Sequence, residues 1–309
     1  MKDSVMQFKN IFWIWLCCLI QPLSAQDLAN SVFWEISGND LQQPSYLFGT
    51  HHLYSPDNVK KDSTIKQKLD QSDKVVGEIV IDMTALFQVM KAGLLGTDTT
   101  MRDLLTQKQY EELDTYLQSE MGIGMGFFNK MKPMAIYQMV VAQKYAKVTQ
   151  GDEKELQALM NESGGGSLDG YFQEYAKTQG KAVGGLETVE QQAGFLFDGY
   201  PIEKQVELLM NALHEEGESS LDQLEELNRL YGEQDLNEIA KFTTQHMNED
   251  EYDLMLRRRN NAWIPQMETL MKQQAVFFAV GAAHLVGKDG VIYQLRQKGY
   301  TVKPIKIKV

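Results

Sequence analysis

The sequence predicts an α/β protein with a central mixed β-sheet and large helical insertions. Two short apolar runs, at 45–48 and 277–280, have the length and composition of buried strands and lie near opposite ends of the chain. Each is followed by a helical pattern and a further strand, the order expected of a sheet with helical connections. Between them, helical patterns dominate across about 83–270. We therefore expect one α/β domain over 26–309, with a mainly helical insertion at about 83–270.

Each predicted element follows from its own local pattern. Strands are predicted where apolar runs are bounded by turn-forming residues, at 33–36, 45–48, 74–81, 181–187, 277–280 and 300–307. Helices are predicted where apolar residues recur every three or four positions, at 59–69, 86–94, 107–120, 134–145, 168–176, 254–270 and 290–298, with more helix across 201–245. Local signals support these boundaries, such as the turn residues Gly38-Asn39-Asp40 and the helix start at Pro133.

A short pattern occurs twice, once near each end of the chain. Gly49 is followed three residues later by His52, and Gly281 by His284; in both copies an apolar run comes first and a leucine last. Glycine permits a sharp turn or a close backbone approach, and a residue just past a strand end lies where α/β folds bind ligands. A single such histidine is more often structural, but the repetition predicts that His52 and His284 meet at one site. Whether His51 or His52 faces that site stays open.

Two carboxylates and one arginine are candidate partners of these histidines. Glu78 lies in a strongly apolar predicted strand, where a carboxylate costs free energy unless it is paired, protonated or bound to a cation; otherwise it meets solvent or an arginine at the strand end. Glu187 ends another predicted strand and is equally compatible with a site or a surface position. Arg259 would clamp a carboxylate or stabilise an oxyanion if it points inward, and otherwise pairs with surface acids. His214 and His246 are expected on solvated, acidic helix faces.

Composition and the first residues indicate an exported protein. The 309 residues carry a formal net charge of −12, which disfavours nucleic acid and anionic membrane surfaces as partners. A positively charged start precedes the apolar segment 11–20, so 1–25 is predicted to be a signal peptide cleaved near Ala25. The apolar segment is shorter than the roughly 20 residues that span a bilayer. We expect a periplasmic or secreted protein that is not integral to the membrane once processed.

Cysteine usage restricts the chemistry further. Both cysteines, Cys17 and Cys18, lie inside the predicted signal peptide. Acylation of one of them in a lipoprotein is disfavoured by the bulky Trp15 and Leu16 just before them. Cleavage would leave a mature chain without cysteine, which excludes disulfides, thiol nucleophiles and thiolate metal ligands. A metal site would then use His, Asp, Glu or backbone oxygen.

The order and spacing of these segments resemble the TraB/GumN family, which includes the Tiki-type proteases. Beyond the two Gly-x-x-His segments, the similar blocks are Val76-Gly77-Glu78, Leu186-Glu187-Thr188 with Gln191 and Gln192, Arg259-Asn260 with Trp263, and Gly299-Tyr300. The resemblance implies a fold similar to the erythromycin-esterase and ChaN group. It also implies a metal-dependent protease that uses manganese or cobalt, in which His52, His284 and Glu78 are the metal or catalytic residues. Glu187 and Arg259 would support them.

Three functions are compatible with these residues. In the leading hypothesis the protein is a metal-dependent hydrolase with a peptide or protein substrate: His52, His284 and a carboxylate bind a divalent ion, and the remaining carboxylate transfers a proton. The second hypothesis is a non-catalytic protein that binds haem or a peptide signal at the same strand ends. The third is hydrolysis without metal, with one histidine as the general base. The spacing identifies neither the metal nor the substrate, and the oligomeric state stays open.

Overall fold

The computed structural model describes residues 28–51, 54, 56–148, 167–214 and 218–308. The predicted signal peptide at 1–25 and the candidate ligand His52 lie outside the described residues. The strands are β1 (Phe33–Ser37), β2 (Ser45–Thr50), β3 (Lys74–Gly77), β4 (Ala182–Gly185), β5 (Val276–Gly281) and β6 (Thr301–Pro304).

Helices occupy most of the chain between β3 and β5. In chain order the α-helices are α1 (Asp57–Lys61), α2 (Ser63–Gln71), α3 (Met83–Ala92), α4 (Met101–Leu104), α5 (Gln107–Met121), α6 (Met125–Phe128), α7 (Pro133–Val148), α8 (Leu168–Thr178), α9 (Val189–Asp198), α10 (Ile202–His214), α11 (Glu218–Gly232), α12 (Leu236–His246), α13 (Glu249–Tyr252), α14 (Arg258–Gln273) and α15 (Val291–Gln297). A π-helical turn (Asp253–Arg257) leads into α14, and a 3₁₀ turn (Ala282–His284) follows β5.

The described strands form one mixed sheet, which confirms the predicted fold class. Their order is β4-β3-β5-β2-β1-β6. The first four run parallel, whereas β1 and β6 pair antiparallel at one edge. The strands of the two Gly-x-x-His segments, β2 and β5, are direct neighbours, with Gly49 opposite Val280 and Thr50 opposite Gly281. Because parallel strands end at the same sheet edge, the segments after β2, β3, β4 and β5 emerge together.

An apolar core holds the sheet against its helices. Every residue of β2 is buried, and α8 adds Phe172 to a cluster of rings. Phe33, Phe48, Phe172 and Phe277 pack with centroid separations of 4.9–6.3 Å. Burial of one such side chain contributes about 1.5–3 kcal/mol. The strands that lead to the site are therefore fixed by packing rather than by the polar groups at their ends.

Local hydrogen bonds explain where helix boundaries differ from the sequence prediction. The helix expected at 59–69 is two helices, because the Asp62 side chain accepts from the backbone N–H groups of Thr64 and Ile65 and caps the second one. The helix expected at 254–270 begins with the π-helical turn before it becomes α14. Hydrophobic spacing alone predicts neither the break at Asp62 nor the π-helical turn, because both depend on particular hydrogen bonds.

The strand expected at 74–81 ends earlier, at Gly77. The Glu78 carbonyl leaves the ladder and accepts from the N–H groups of Leu186 and Glu187, both at 2.9 Å. Glu78 thus belongs to the segment after β3 rather than to the strand, and its side chain lies at the common edge of the parallel strands.

The helical region has apolar clusters of its own. Residues of α4 to α7 and α10 form one of them, with Met101, Leu113 and Leu117 fully buried. Met101 and Met125 are both fully buried in it. Within the described ranges, no helix has the length and apolarity needed to cross a bilayer.

Candidate functional site

Polar side chains from separate elements meet where the parallel strands end. Glu78 directly follows β3, Glu187 lies two residues beyond β4, and His284 ends the 3₁₀ turn after β5. Arg259, in the first turn of α14, reaches the same point from the helical region. All four side chains are at most 9% exposed. They form one buried polar cluster, which we call the Arg259 cluster.

Arg259 uses all five of its N–H donors inside this cluster. Nε donates to Glu187 Oε2 at 3.1 Å, and Nη2 donates to Glu187 Oε1 at 2.6 Å and to Glu78 Oε2 at 2.5 Å. Nη1 donates to the Met255 carbonyl and to His284 Nε2, both at 3.1 Å. A guanidinium has five donors and no acceptor. Arg259 therefore fixes both carboxylates and the imidazole, and a contact with a substrate oxyanion requires one of these bonds to exchange.

The Arg259 cluster has a net negative charge. Glu78 and Glu187 only accept hydrogen bonds in their contacts with Arg259 and Gln192, as ionised carboxylates do. Burial by itself lowers the pKa of Arg259, but the hydrogen bonds and charges of Glu187 and Glu78 outweigh it and raise that pKa above its ordinary value. The guanidinium thus stays charged and neutralises one of the two carboxylates.

Further donors hold the carboxylates in place. Gln192 Nε2 donates to Glu78 Oε2 and to Glu187 Oε1, both at 3.1 Å, and the Trp263 indole donates to Glu187 Oε2 at 3.3 Å. The backbone N–H of Gly281 donates to Glu78 Oε1 at 2.9 Å. A Cβ at Gly281 would lie only 3.3 Å from that oxygen. The glycine of the second Gly-x-x-His segment therefore lets a carboxylate reach the backbone.

Asn260 determines the tautomer of His284. Its Nδ2 donates to the carbonyls of His284 at 3.1 Å and Asp289 at 2.8 Å, so its Oδ1 is the acceptor for His284 Nδ1 at 2.7 Å. This network assigns the proton to Nδ1. The lone pair of Nε2 then faces Arg259 Nη1 and lies 3.7 Å from Glu78 Oε1. An imidazole held in this way presents Nε2 as a base or as a metal ligand.

The glycine of the first Gly-x-x-His segment serves close packing. A Cβ at Gly49 would lie 3.0 Å from Leu285 Cδ2 and 3.1 Å from Ala282 Cα, tighter than side chains normally approach. The Gly49 carbonyl also accepts from the Tyr231 hydroxyl at 2.7 Å. Gly49 thus brings the end of β2 against the turn after β5, so the two copies of the pattern lie side by side.

A cavity of about 460 Å³ opens onto the Arg259 cluster. Its polar end contains Glu78, Arg259 and His284, with Thr50 and His51 from the end of β2. The rest of its lining is mainly apolar and consists of Leu227, Tyr231, Ile239, Phe242, Met247, Met255, Leu256, Ala282 and Ala283, with Thr243 and His246. Volumes of this size are typical of ligand sites.

The structure brings four of the predicted site residues, Glu78, Glu187, Arg259 and His284, into contact. His52 lies outside the described residues, so its role as a ligand stays a prediction. The neighbouring His51 lines the cavity, with its ring edge-on to Tyr231 at 5.3 Å.

The two histidines expected on solvated faces have different surroundings. His214 pairs with Glu112 at 3.1 Å and is largely exposed. His246 is also exposed, but it stacks on Phe242 at 4.1 Å and lines the cavity. Its position at the cavity was not expected, because the charged sequence around it is typical of a solvated helix.

Sequence reasoning did not assign roles to Asn260, Gln192 or Trp263 in the site. An amide or indole has no distinctive local signal, because its contribution depends on partners far away in the chain. The sequence offered one signal for them, since all three lie within a few residues of Glu187 or Arg259, which were themselves candidates.

The donor groups for a divalent ion are present in part. Glu78 Oε1 and His284 Nε2 are 3.7 Å apart, which suits two ligands of one ion with bonds of about 2.0–2.2 Å. In the described part of the chain, no group of three or more His, Cys, Asp or Glu side chains is placed to hold an ion. A third protein ligand would come from His52, whose role stays a prediction. Binding of an ion also needs His284 Nε2 to exchange its hydrogen bond from Arg259.

Fold and site together define an α/β protein with a buried polar cluster and a ligand-sized cavity at the ends of its parallel strands. The chain belongs to the TraB/PrgY/gumN family, whose match covers residues 32–304. This confirms the family that the repeated segments indicated.

Two curated relatives show what the chain is similar to. It is 24% identical to "Metalloprotease TIKI2" of Danio rerio, over 92% of this chain and 62% of the relative. It is also 24% identical to "Metalloprotease TIKI2" of Xenopus tropicalis, over 91% of this chain and 61% of the relative. The chain thus spans less than two thirds of the length of these relatives. No solved structure matches it significantly.

Proposed function

We propose that the protein is an exported, metal-dependent hydrolase that cleaves peptide bonds at the Arg259 cluster. The observation that carries this proposal is the convergence of Glu78 Oε1 and the unprotonated His284 Nε2, 3.7 Å apart, at the end of a ligand-sized cavity. The similarity to two metalloproteases supports the reaction type. We also propose that the fold is of the erythromycin-esterase and ChaN kind, on the strength of the resemblance and the mixed sheet.

The described residues have separate roles in this proposal. Glu78 accepts a proton at Oε1 from the attacking water and passes it to the leaving amine. Arg259 and Gln192 hold the other oxygen, Oε2, and so fix the orientation of the carboxylate. Glu187 holds Arg259 in place through two hydrogen bonds. Asn260 keeps the proton of His284 on Nδ1.

The ion would be held by the imidazoles of His284, through Nε2, and of His52, beside Glu78, and manganese or cobalt is the expected metal. A divalent ion supplies Lewis-acid chemistry that polarises the scissile carbonyl and activates water.

A metal-independent hydrolase is the second candidate, favoured by the assigned tautomer. His284 Nε2 carries no proton and lies near Glu78, and it can act as a general base for water once its hydrogen bond from Arg259 exchanges. The two candidates differ in their response to chelation, so one experiment separates them.

The test is a peptide-library cleavage assay on the purified processed protein, with manganese or with a chelator. We expect cleavage with manganese, loss with the chelator, and a reduction of at least about 100-fold in kcat/KM for Glu78→Gln, the scale of lost acid–base catalysis. The matched control is Glu174→Gln, which changes an exposed carboxylate on α8. Cleavage that survives the chelator and fails in His284→Ala favours the second candidate. Cleavage unaffected by Glu78→Gln contradicts both.

The exported location has its own test. The mature protein isolated from its host is expected to begin near Gln26, outside the cytoplasm. An intact Met1 on cytosolic protein would overturn that part of the proposal.

A further inference from the structure

The cavity extends beyond the Arg259 cluster, and there its lining is mainly apolar. We call this apolar part of the lining the wall. We propose that this wall is a subsite for one large apolar side chain, of the Leu, Met or Phe kind, carried by a polypeptide substrate next to the cleaved bond. This inference rests on the proposed function for the cleavage and adds the class of substrate.

The wall consists of side chains from three neighbouring elements. α11 and α12 contribute one side and the π-helical turn contributes the other, with the residues Leu227, Tyr231, Ile239, Phe242, Met255 and Leu256. The π-helical turn is also the direct link to the cluster, since the Met255 carbonyl accepts from Arg259 Nη1. A group held against the wall therefore lies beside Glu78 and His284.

The volume fits a side chain with part of its backbone. A cavity of roughly 150 Å³ holds a benzene ring, and this cavity is about three times larger at 460 Å³. A phenylalanine or leucine side chain fills part of that space and leaves room for the adjoining main chain at the cluster. Burial of such a side chain contributes about 1.5–3 kcal/mol, which an alanine does not provide.

The wall combines a fixed part with an adaptable part. Tyr231 is fully buried, and its hydroxyl donates to the Gly49 carbonyl, so its ring is anchored to β2. Met247 and Met255 are half-buried and flexible, and methionine adapts to differently shaped apolar partners. This composition favours a preference for large apolar side chains as a group rather than for a single one.

The apolar wall selects against charged occupants. An acidic side chain placed along it would lose hydration, and so would a lysine or arginine side chain, because the lining there is mainly apolar. An uncharged apolar side chain avoids this cost.

The test uses the full-length processed protein and a peptide whose cleaved bond has been mapped. Each residue flanking that bond is replaced in turn by Ala, Leu, Phe, Asp or Lys. At one flanking position we expect kcat/KM for Leu or Phe to exceed that for Ala by about 10–200-fold, with Asp and Lys below Ala.

Wall variants then locate the preference in the cavity. Thr243→Phe places a ring in the space and should reduce the Phe-to-Ala ratio at least about tenfold, with the Ala peptide still cleaved. Phe242→Ala and Met255→Ala should lower the same ratio by removing wall contacts. The matched controls Phe87→Ala and Met90→Ala change exposed residues of α3 and should keep the wild-type ratio.

The outcomes separate this inference from the proposed function. Equal cleavage of the Ala, Leu and Phe peptides, or a preference for Asp or Lys, overturns the substrate class and leaves the hydrolase in place. So does a preference for long-chain acyl esters without any among peptides. If no peptide is cleaved, the proposed function fails, and calorimetry tests the subsite directly. A short peptide with one Phe must then bind at least about tenfold more tightly than the same peptide with Ala in its place, and lose this advantage in Thr243→Phe; equal affinities overturn the inference.

Discussion

Two arginines make the same kind of contact in opposite surroundings. Arg229 on α11 donates to Glu226 of the same helix and to Glu233 just after it, at 2.6–2.8 Å. Arg259 on α14 donates to Glu78 and Glu187 at 2.5–3.1 Å. The Arg229 side chain is 52% exposed, whereas the Arg259 side chain is 6% exposed. Hydrogen-bond geometry alone does not distinguish the two; burial does.

This difference in burial determines what the ion pairs of each arginine contribute. Exposed ion pairs are screened by water and salt and contribute little, whereas a buried ion pair becomes costly once one partner is removed. The partners of Arg229 lie three residues before it in α11 and four residues after it, just past the end of α11. Those of Arg259 come from 181 and 72 residues away. The first arrangement supports a helix, and the second assembles a site.

Arg259→Ala should have the largest effect. It leaves Glu78 and Glu187 buried without their cation, so we expect the free energy of unfolding to fall by about 3–5 kcal/mol, measured by urea denaturation at neutral pH. Arg259→Lys keeps the positive charge but lacks the planar guanidinium. Its free energy of unfolding should therefore lie between those of the wild type and the alanine variant. An alanine variant as stable as the wild type would show that the two carboxylates are not both ionised and dependent on Arg259.

Asn260→Ala should have an intermediate effect. It removes the donor to two buried carbonyls and the acceptor of His284 Nδ1, so we expect a loss of about 1–3 kcal/mol in unfolding free energy. The ring nitrogens of His284, observed by ¹⁵N NMR, should show the Nδ1–H tautomer in the wild type and a mixture in the variant. A wild-type spectrum of the Nε2–H tautomer would contradict the assigned network.

Arg229→Ala should have the smallest effect. We expect its thermal midpoint at about 0.15 M salt to match the wild type, because the pair is screened. The hydrogen bond and charge of Arg229 lower the pKa of Glu226. Such a carboxyl adds stability above its unfolded-state pKa and loses it as the pH falls through the folded-state pKa. Any difference seen at low salt and neutral pH should therefore vanish in acid; a difference that persists there would contradict the ion-pair explanation.

The sheet was predictable because its signals are local. The apolar runs at 45–48 and 277–280, each ending in glycine, correspond to β2 and β5. The repetition of Gly-x-x-His predicted that both runs end at one edge, and β2 and β5 are indeed parallel neighbours. Glu78 was notable because a carboxylate rarely ends so apolar a segment.

The connections inside the site were not predictable from one sequence. Asn260 and Gln192 act through partners on other elements, and the π-helical turn before Arg259 has no distinct local signal in the sequence. The cavity wall likewise combines residues of three elements, each of which has an ordinary amphipathic pattern. Such features depend on how helices pack, which local periodicity leaves undetermined.

The pairing of β2 with β5 has a consequence for the synthesis of the protein on the ribosome. Ser45 and Val276, at the start of these strands, are 231 residues apart in the chain. At a synthesis rate of about 5–20 residues per second, the earlier strand waits roughly 10–50 s for its neighbour. No nascent chain that stops before His284 contains both halves of the site. A fragment that ends before His284 therefore lacks part of the Arg259 cluster, whatever the first half of the chain has already folded into.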